Sequence, residues 1–117
     1  MNEDIAPFEL AVKLKVKGFR ERVKGYYKES KILSVCNTPM NSNALNNKFS
    51  APTIPQVLKW LRNTQNLHVE TYPCGLGMWK FLVTNIITLE ERALCDKYTS
   101  SEQAEIAGIS YVLDNLI

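Results

Sequence analysis

Two periods of hydrophobic spacing run through this chain, and the places where one gives way to the other outline its elements. The change is sharpest over residues 51–85. There Thr53-Ile54-Pro55-Gln56 supplies an N-cap threonine, a proline for the first turn and a glutamine three residues beyond the cap, the pattern of a reciprocal capping box. Val57, Leu58, Trp60 and Leu61 follow at helical spacing, with Lys59, Arg62 and Asn63 turned outward, so an amphipathic helix is predicted that ends at Thr64-Gln65-Asn66. The period then falls to two. Leu67 and Val69 alternate with His68 and Glu70 as in a half-buried strand, and Pro73-Cys74-Gly75-Leu76-Gly77 is a turn whose glycines admit positive φ. Residues 78–85 then set Trp79, Phe81 and Val83 against Met78, Lys80, Leu82 and Thr84, a strand expected to pair antiparallel with the first.

Upstream, residues 7–17 carry a first helix, with Pro7 in its opening turn, Glu9 near the positive helix end, and Phe8, Ala11, Val12 and Leu14 facing inward. Gly18 can take the left-handed conformation that ends it, and Phe19 can fold back as the hydrophobic contact of a Schellman motif. Residues 22–27 and 32–36 read as two short strands around Lys28-Glu29-Ser30-Lys31, because β-favouring Val23, Tyr26, Tyr27, Ile32 and Val35 bracket a polar gap. Residues 37–50, with five asparagines, a proline and two serines, have no sustained period and read as a loop.

Downstream, Thr88-Leu89-Glu90-Glu91 repeats the capping-box pattern ahead of a short helix ending near Cys95. Ser100 or Ser101 caps the last helix, with Gln103 three residues after Ser100 and Ile106, Ile109, Leu113 and Leu116 along one face. Gly108 inside that helix costs about 1 kcal/mol relative to alanine, which marks a close approach to a neighbour. The main elements run α-β-β-α-β-β-α. That order predicts an α+β domain, a mostly antiparallel sheet of about four strands with helices packed on one face.

Composition narrows the class further. The chain has 117 residues, the length of one ordinary domain over residues 1–117, and its 45% hydrophobic and 22% charged residues are those of a folding globular protein. No apolar run approaches the ~20 residues that span a bilayer, and Met1-Asn2-Glu3-Asp4-Ile5 has neither the basic nor the apolar region of a signal peptide. A cytoplasmic protein with no membrane association is expected. Cys36, Cys74 and Cys95 are odd in number and far apart, which fits reduced thiols better than a disulfide framework.

The formal charge of +2 conceals an asymmetry: eight of the basic residues lie between Leu10 and Lys31, with only Glu21 and Glu29 among them. Lys13, Lys17, Arg20, Arg22, Lys24, Lys28 and Lys31, with Tyr26 and Tyr27 between them, would make a cationic surface where phosphates are neutralised and aromatic rings meet bases. Lysines on a solvated helix face and tyrosines in a core account for the same residues without a ligand. A second candidate surface lies at Met78 and Trp79, where large apolar side chains would form a protein interface if the helices leave that part of the sheet uncovered.

Catalytic and metal chemistry find little support. His68 is the single histidine, so any Cys-His or Ser-His mechanism needs it, yet no nucleophile elbow accompanies it, and a solvent-facing strand position explains it. Three cysteines and this histidine could complete a zinc site only from separate elements, with no Cys-x-x-Cys pair. Glu90 with Glu91, and Glu102 with Glu105, fall in the opening turns of predicted helices, where the helix dipole favours negative charge. Gly75-Leu76-Gly77 joins two strands and lacks the lysine or third glycine of a phosphate loop. No catalytic residue, cofactor or metal is expected.

The chain resembles a family of small proteins from bacteroidete bacteria and their phages. The resemblance rests on Glu9-Leu10-Ala11 with Leu14-Lys15 and Gly18-Phe19, on Ala51-Pro52-Thr53 with Gln56-Val57 and Trp60-Leu61-Arg62, on Trp79, and on Ala104, Ala107-Gly108-Ile109 and residues 113–117. No activity comes with that family. The resemblance implies a mobile-element origin, where accessory proteins often act by binding. The expected function is therefore that of a non-enzymatic accessory or interaction protein, binding a protein partner or itself as a homodimer, with nucleic-acid binding through the basic segment as the alternative.

Overall fold

The computed structural model describes residues 5–117, so the leader reading of the first residues lies outside the described part. The chain divides into two compact units, Met1–Gln56 and Val57–Ile117.

The first unit is built around a small antiparallel sheet. It opens with α1 (Phe8–Val16), whose N-cap is Pro7 and whose buried stripe is Leu10, Ala11 and Leu14. The helix ends as a Schellman motif: Gly18 has φ 89°, its N–H donates to the Lys15 carbonyl at 3.2 Å, and the Phe19 N–H donates to Leu14 at 3.0 Å. Phe19 is fully buried. β1 (Val23–Lys28), β2 (Leu33–Met40) and β3 (Lys48–Ala51) follow and pair in the order β2-β1-β3. Phe8 of α1 packs edge-on against Tyr27 and Phe49, with ring centroids 5.5 and 5.4 Å apart, so α1 covers the sheet face that carries these two rings.

The asparagine-rich segment is more ordered than its composition predicts. β2 continues to Met40, one 3-10 turn occupies Ser42–Ala44, and β3 is a strand absent from the sequence reading. Asn43 replaces secondary structure as the organiser. Its backbone N–H donates to Ser50 Oγ at 3.0 Å, its Oδ1 accepts the Ser50 N–H at 2.7 Å, and its Nδ2 donates to the Phe19 carbonyl at 2.9 Å. Lys15 adds to this by donating from Nζ to the carbonyls of Leu45 and Lys48 at 2.6 and 2.7 Å.

α2 (Ile54–Thr64) begins at the end of the first unit and lies mostly in the second. Thr53 Oγ1 accepts the Gln56 N–H at 3.3 Å, but the Gln56 side chain donates to the Arg22 carbonyl at 3.0 Å instead of returning to the cap, so half of the expected box forms. Val57, Trp60 and Leu61 of the predicted stripe are buried, joined by Ile54, while Leu58 is half-buried.

The second unit holds β4 (Leu67–Gly75), β5 (Met78–Asn85), β6 (Glu91–Ala93) and α3 (Ser101–Asn115), with strand order β4-β5-β6. β4 and β5 pair antiparallel across a two-residue turn in which Leu76 and Gly77 both have positive φ, 56° and 74°. The helix predicted after Thr88 is not formed. Asn85 Oδ1 accepts the N–H groups of Ile87 and Thr88 at 2.9 and 3.0 Å, Leu89 has φ 63°, and the chain turns back into β6, paired with β5 through Thr84↔Glu91. Local capping chemistry there serves a hairpin turn: Thr88 Oγ1 still accepts the Glu90 N–H at 3.3 Å, but the Leu89 N–H donates back to the Asn85 carbonyl at 2.8 Å and the Asn85 N–H donates to the Glu90 carbonyl at 2.9 Å.

Ser100 caps α3 by accepting the Gln103 N–H at 3.1 Å, and Ala104, Gly108, Ile109, Val112 and Leu113 form its buried face. Gly108 lies against β4 and β5. A Cβ placed there would meet Val69 Cγ1 at 2.8 Å and Phe81 Cγ at 3.0 Å. The fold is thus α+β with antiparallel pairing throughout, but as two three-stranded sheets where one sheet of about four strands was expected. The extra strands, β3 and β6, are four and three residues long, too short to display a period.

Candidate functional site

Strand register sorts the basic segment into residues that share a surface and residues that do not. Side chains alternate between sheet faces, so Lys24, Tyr26 and Lys28 of β1 lie on the face opposite Tyr27 and away from α1. The pairing Lys28↔Lys48 sets a lysine from β3 directly beside Lys28 on that face, and Lys48 Nζ lies 4.4 Å from the Tyr26 ring centroid. Among the described residues, no carboxylate makes an ion pair with Lys24, Lys28 or Lys48. Lys28 and Lys48, with Glu29, Ser30 and Asn47, line an open depression of about 290 Å³ at the end of the sheet.

The other predicted cations are distributed elsewhere. Lys31 Nζ lies 5.5 Å from the Phe8 ring, on the α1 side. Lys13 and Lys17 are half-buried, the first on α1 and the second at its C-cap, and Arg20 and Arg22 are exposed in the connection from α1 to β1. Lys15 is engaged with loop carbonyls. Lys48 was the member that sequence reasoning missed. Its strand is only Lys48-Phe49-Ser50-Ala51, and the asparagines before it mask the single alternation that could have announced it.

Met78 and Trp79 are half-buried on β5, the central strand of the second sheet. Trp79 exchanges two backbone hydrogen bonds of 2.8 Å with Tyr98, whose ring lies near Phe81. More exposed apolar side chains occur on β2, an edge strand. Ile32 just before it is 63% exposed, and Leu33 and Val35 are 43% and 73% exposed. The eight residues of β2 include no charge, and among the described residues no strand lies beside its outer backbone. β2 bulges away from β1 between Val35 and Met40, which leaves Leu33, Ser34 and Val35 as its regular part.

The remaining reactive side chains do not converge. His68 is half-buried on β4 opposite Thr84, Cys74 lies near the far end of the same strand, and Cys36 and Cys95 are free thiols, the latter exposed. Among the described residues, no three His, Cys, Asp or Glu side chains are grouped to hold a metal ion. Tyr27 and Tyr98 have raised pKa values, the first from burial and then the nearby Glu9 carboxylate, the second from burial and then Asp96. Tyr27 also donates its hydroxyl to the Ala6 carbonyl at 2.8 Å. Both tyrosines belong to packed clusters.

No helix among the described residues is long and apolar enough to cross a membrane. Comparison of the chain with protein-family models, with curated proteins and with solved structures finds no match.

Proposed function

We propose that this is a non-enzymatic interaction protein that binds an extended segment of a protein partner along β2. The observation that carries the reading is the regular part of the edge: residues 33–35, unpaired on their outer side among the described residues, uncharged and flanked by exposed Ile32, ahead of the bulge and Pro39 that blunt the rest of β2. A partner strand would satisfy the outer N–H and C=O groups and cover Leu33 and Val35, which extend the sheet face that α1 already covers. The first unit carries nine Lys or Arg against five Asp or Glu, a formal +4, so the partner segment is neutral or acidic. The resemblance to small proteins of bacteroidete phages supports an accessory binding role of this kind.

The test is affinity capture by the parent chain and by Val35→Lys, each with and without nuclease, beside sedimentation of both proteins alone. A captured protein that survives nuclease and is lost with Val35→Lys, while that variant keeps its thermal unfolding midpoint, supports the reading. Equal capture by both chains refutes the edge. A parent dimer that Val35→Lys converts to monomer assigns the edge to self-association instead.

A further inference from the structure

We propose that the sheet face bearing Lys24, Tyr26, Lys28 and Lys48 is a phosphate-binding surface that takes the backbone of a single-stranded nucleic acid, separate from the β2 edge. Lys28 and Lys48 stand directly opposite each other in the β1–β3 ladder. Like charges in that relation destabilise a sheet. Neither is neutralised by a carboxylate among the described residues, and Lys24 adds a third cation on the same face four residues along β1. Folding does not require the arrangement, since one acidic residue at either position would turn repulsion into attraction. An anion placed between the two ammonium groups removes the repulsion in the same way.

The surroundings fit a phosphate better than a carboxylate side chain. The depression beside the pair offers Ser30 and Asn47 as additional hydrogen-bonding side chains, so a tetrahedral oxyanion has donors around it as well as the two charges. Glu29 at its rim works against the anion, and it is the only acidic side chain among the described residues that line the depression. Tyr26 decides in favour of a single strand. Its half-buried ring sits among the three lysines and is covered by Lys48 Nζ at 4.4 Å, a cation–π contact of modest strength. A phosphate that draws the Lys48 ammonium toward Lys28 uncovers the ring, and an unpaired base can then stack on it. Bases inside a duplex have no free face to offer.

Binding of a fluorescein-labelled twelve-nucleotide single-stranded DNA, followed by anisotropy at several salt concentrations, tests this. With one phosphate shared by Lys28 and Lys48 and a second on Lys24, the log–log salt slope for a single strand is about −1.4, so affinity falls roughly 7-fold between 50 and 200 mM salt. Lys28→Gln and Lys48→Gln should each weaken binding, and the double variant should flatten the slope by about 0.7, with the thermal midpoint unchanged or higher in each. Tyr26→Ala should weaken binding roughly 5-fold or more with the slope intact, and Tyr26→Phe should retain it. Val35→Lys should bind at least as tightly as the parent, which separates this surface from the β2 edge. Binding that ignores the lysine variants, tighter binding of the matching duplex, or no binding at 50 mM salt would each overturn the proposal.

Discussion

Gly108→Ala offers the most direct probe of how α3 meets its sheet. In an isolated helix the change would be favourable by about 1 kcal/mol, because alanine loses less backbone entropy than glycine. Here the new methyl carbon would lie 2.8 Å from Val69 Cγ1, 3.0 Å from Phe81 Cγ and 3.1 Å from Phe81 Cβ. The valine methyl can rotate away, but the two phenylalanine atoms are close to the β5 backbone and move only if the helix lifts. Overpacking of this kind costs about 1–3 kcal/mol. With contacts this short the upper half of that range applies, and subtracting the helical gain leaves a net loss of about 1–2 kcal/mol. Urea unfolding followed by tryptophan fluorescence should show a midpoint lower by about 0.5–1 M with an unchanged slope. Ala107→Gly, on the neighbouring half-buried position, provides the reference, since it should lose only the propensity difference of about 1 kcal/mol. A Gly108→Ala protein as stable as the parent, or more stable, would show that α3 does not approach β4 and β5 this closely.

Three further outcomes follow from the first unit. Lys28→Glu converts a like-charge cross-strand pair into an attractive one and should raise stability by about 0.2–1 kcal/mol in the same urea assay, whereas a decrease would contradict the Lys28↔Lys48 register. Asn43→Ala removes the two side-chain hydrogen bonds that tie residues 41–50 to β3 and to Phe19, so it should cost about 1–3 kcal/mol and strip the Ser50 amide of its hydrogen-exchange protection. Tyr27 has its pKa raised above 10.0 in the folded protein, so its contribution is fully present below the unfolded value and is lost as pH rises through the folded one. Stability should therefore fall above pH 10, and Tyr27→Phe should flatten that fall. An unaltered alkaline profile in the variant would exclude Tyr27 as the group responsible.

Where the sequence reading succeeded, the determinants were local. The Gly18-Phe19 helix stop, the Thr53 cap with its buried Val57, Trp60 and Leu61, the turn at Leu76-Gly77 and the Ser100 cap each depend on residues within one or two turns of each other. It failed where a side chain had a partner distant in sequence or a choice between local ones. Gln56 reads as part of its own helix cap but reaches Arg22, and Thr88-Leu89-Glu90-Glu91 reads as a helix start but is folded into a turn by hydrogen bonds to Asn85 and by the pairing of β6 with β5. Asn43 looked like one loop asparagine among five, yet its bonds to Phe19 and Ser50 span 24 and 7 residues. The same limit governed the candidate site. A run of lysines was visible in sequence order, but which of them share a face depended on the alternation of β1 and on β3, whose four residues carry too little pattern to be read.

The chain alone determined that there would be three principal helices and antiparallel hairpins, because caps, turns and hydrophobic periods act over a few residues and do not depend on what they pack against. Tertiary structure decided the division into two three-stranded sheets, the pairing of Lys28 with Lys48, the exposure of Ile32, Leu33 and Val35 at an edge, and the partial burial of Trp79. Each of these is a relation between segments far apart in sequence. Strand pairing is directed by backbone groups that every residue shares, so side-chain pattern can propose a strand but not name its neighbour.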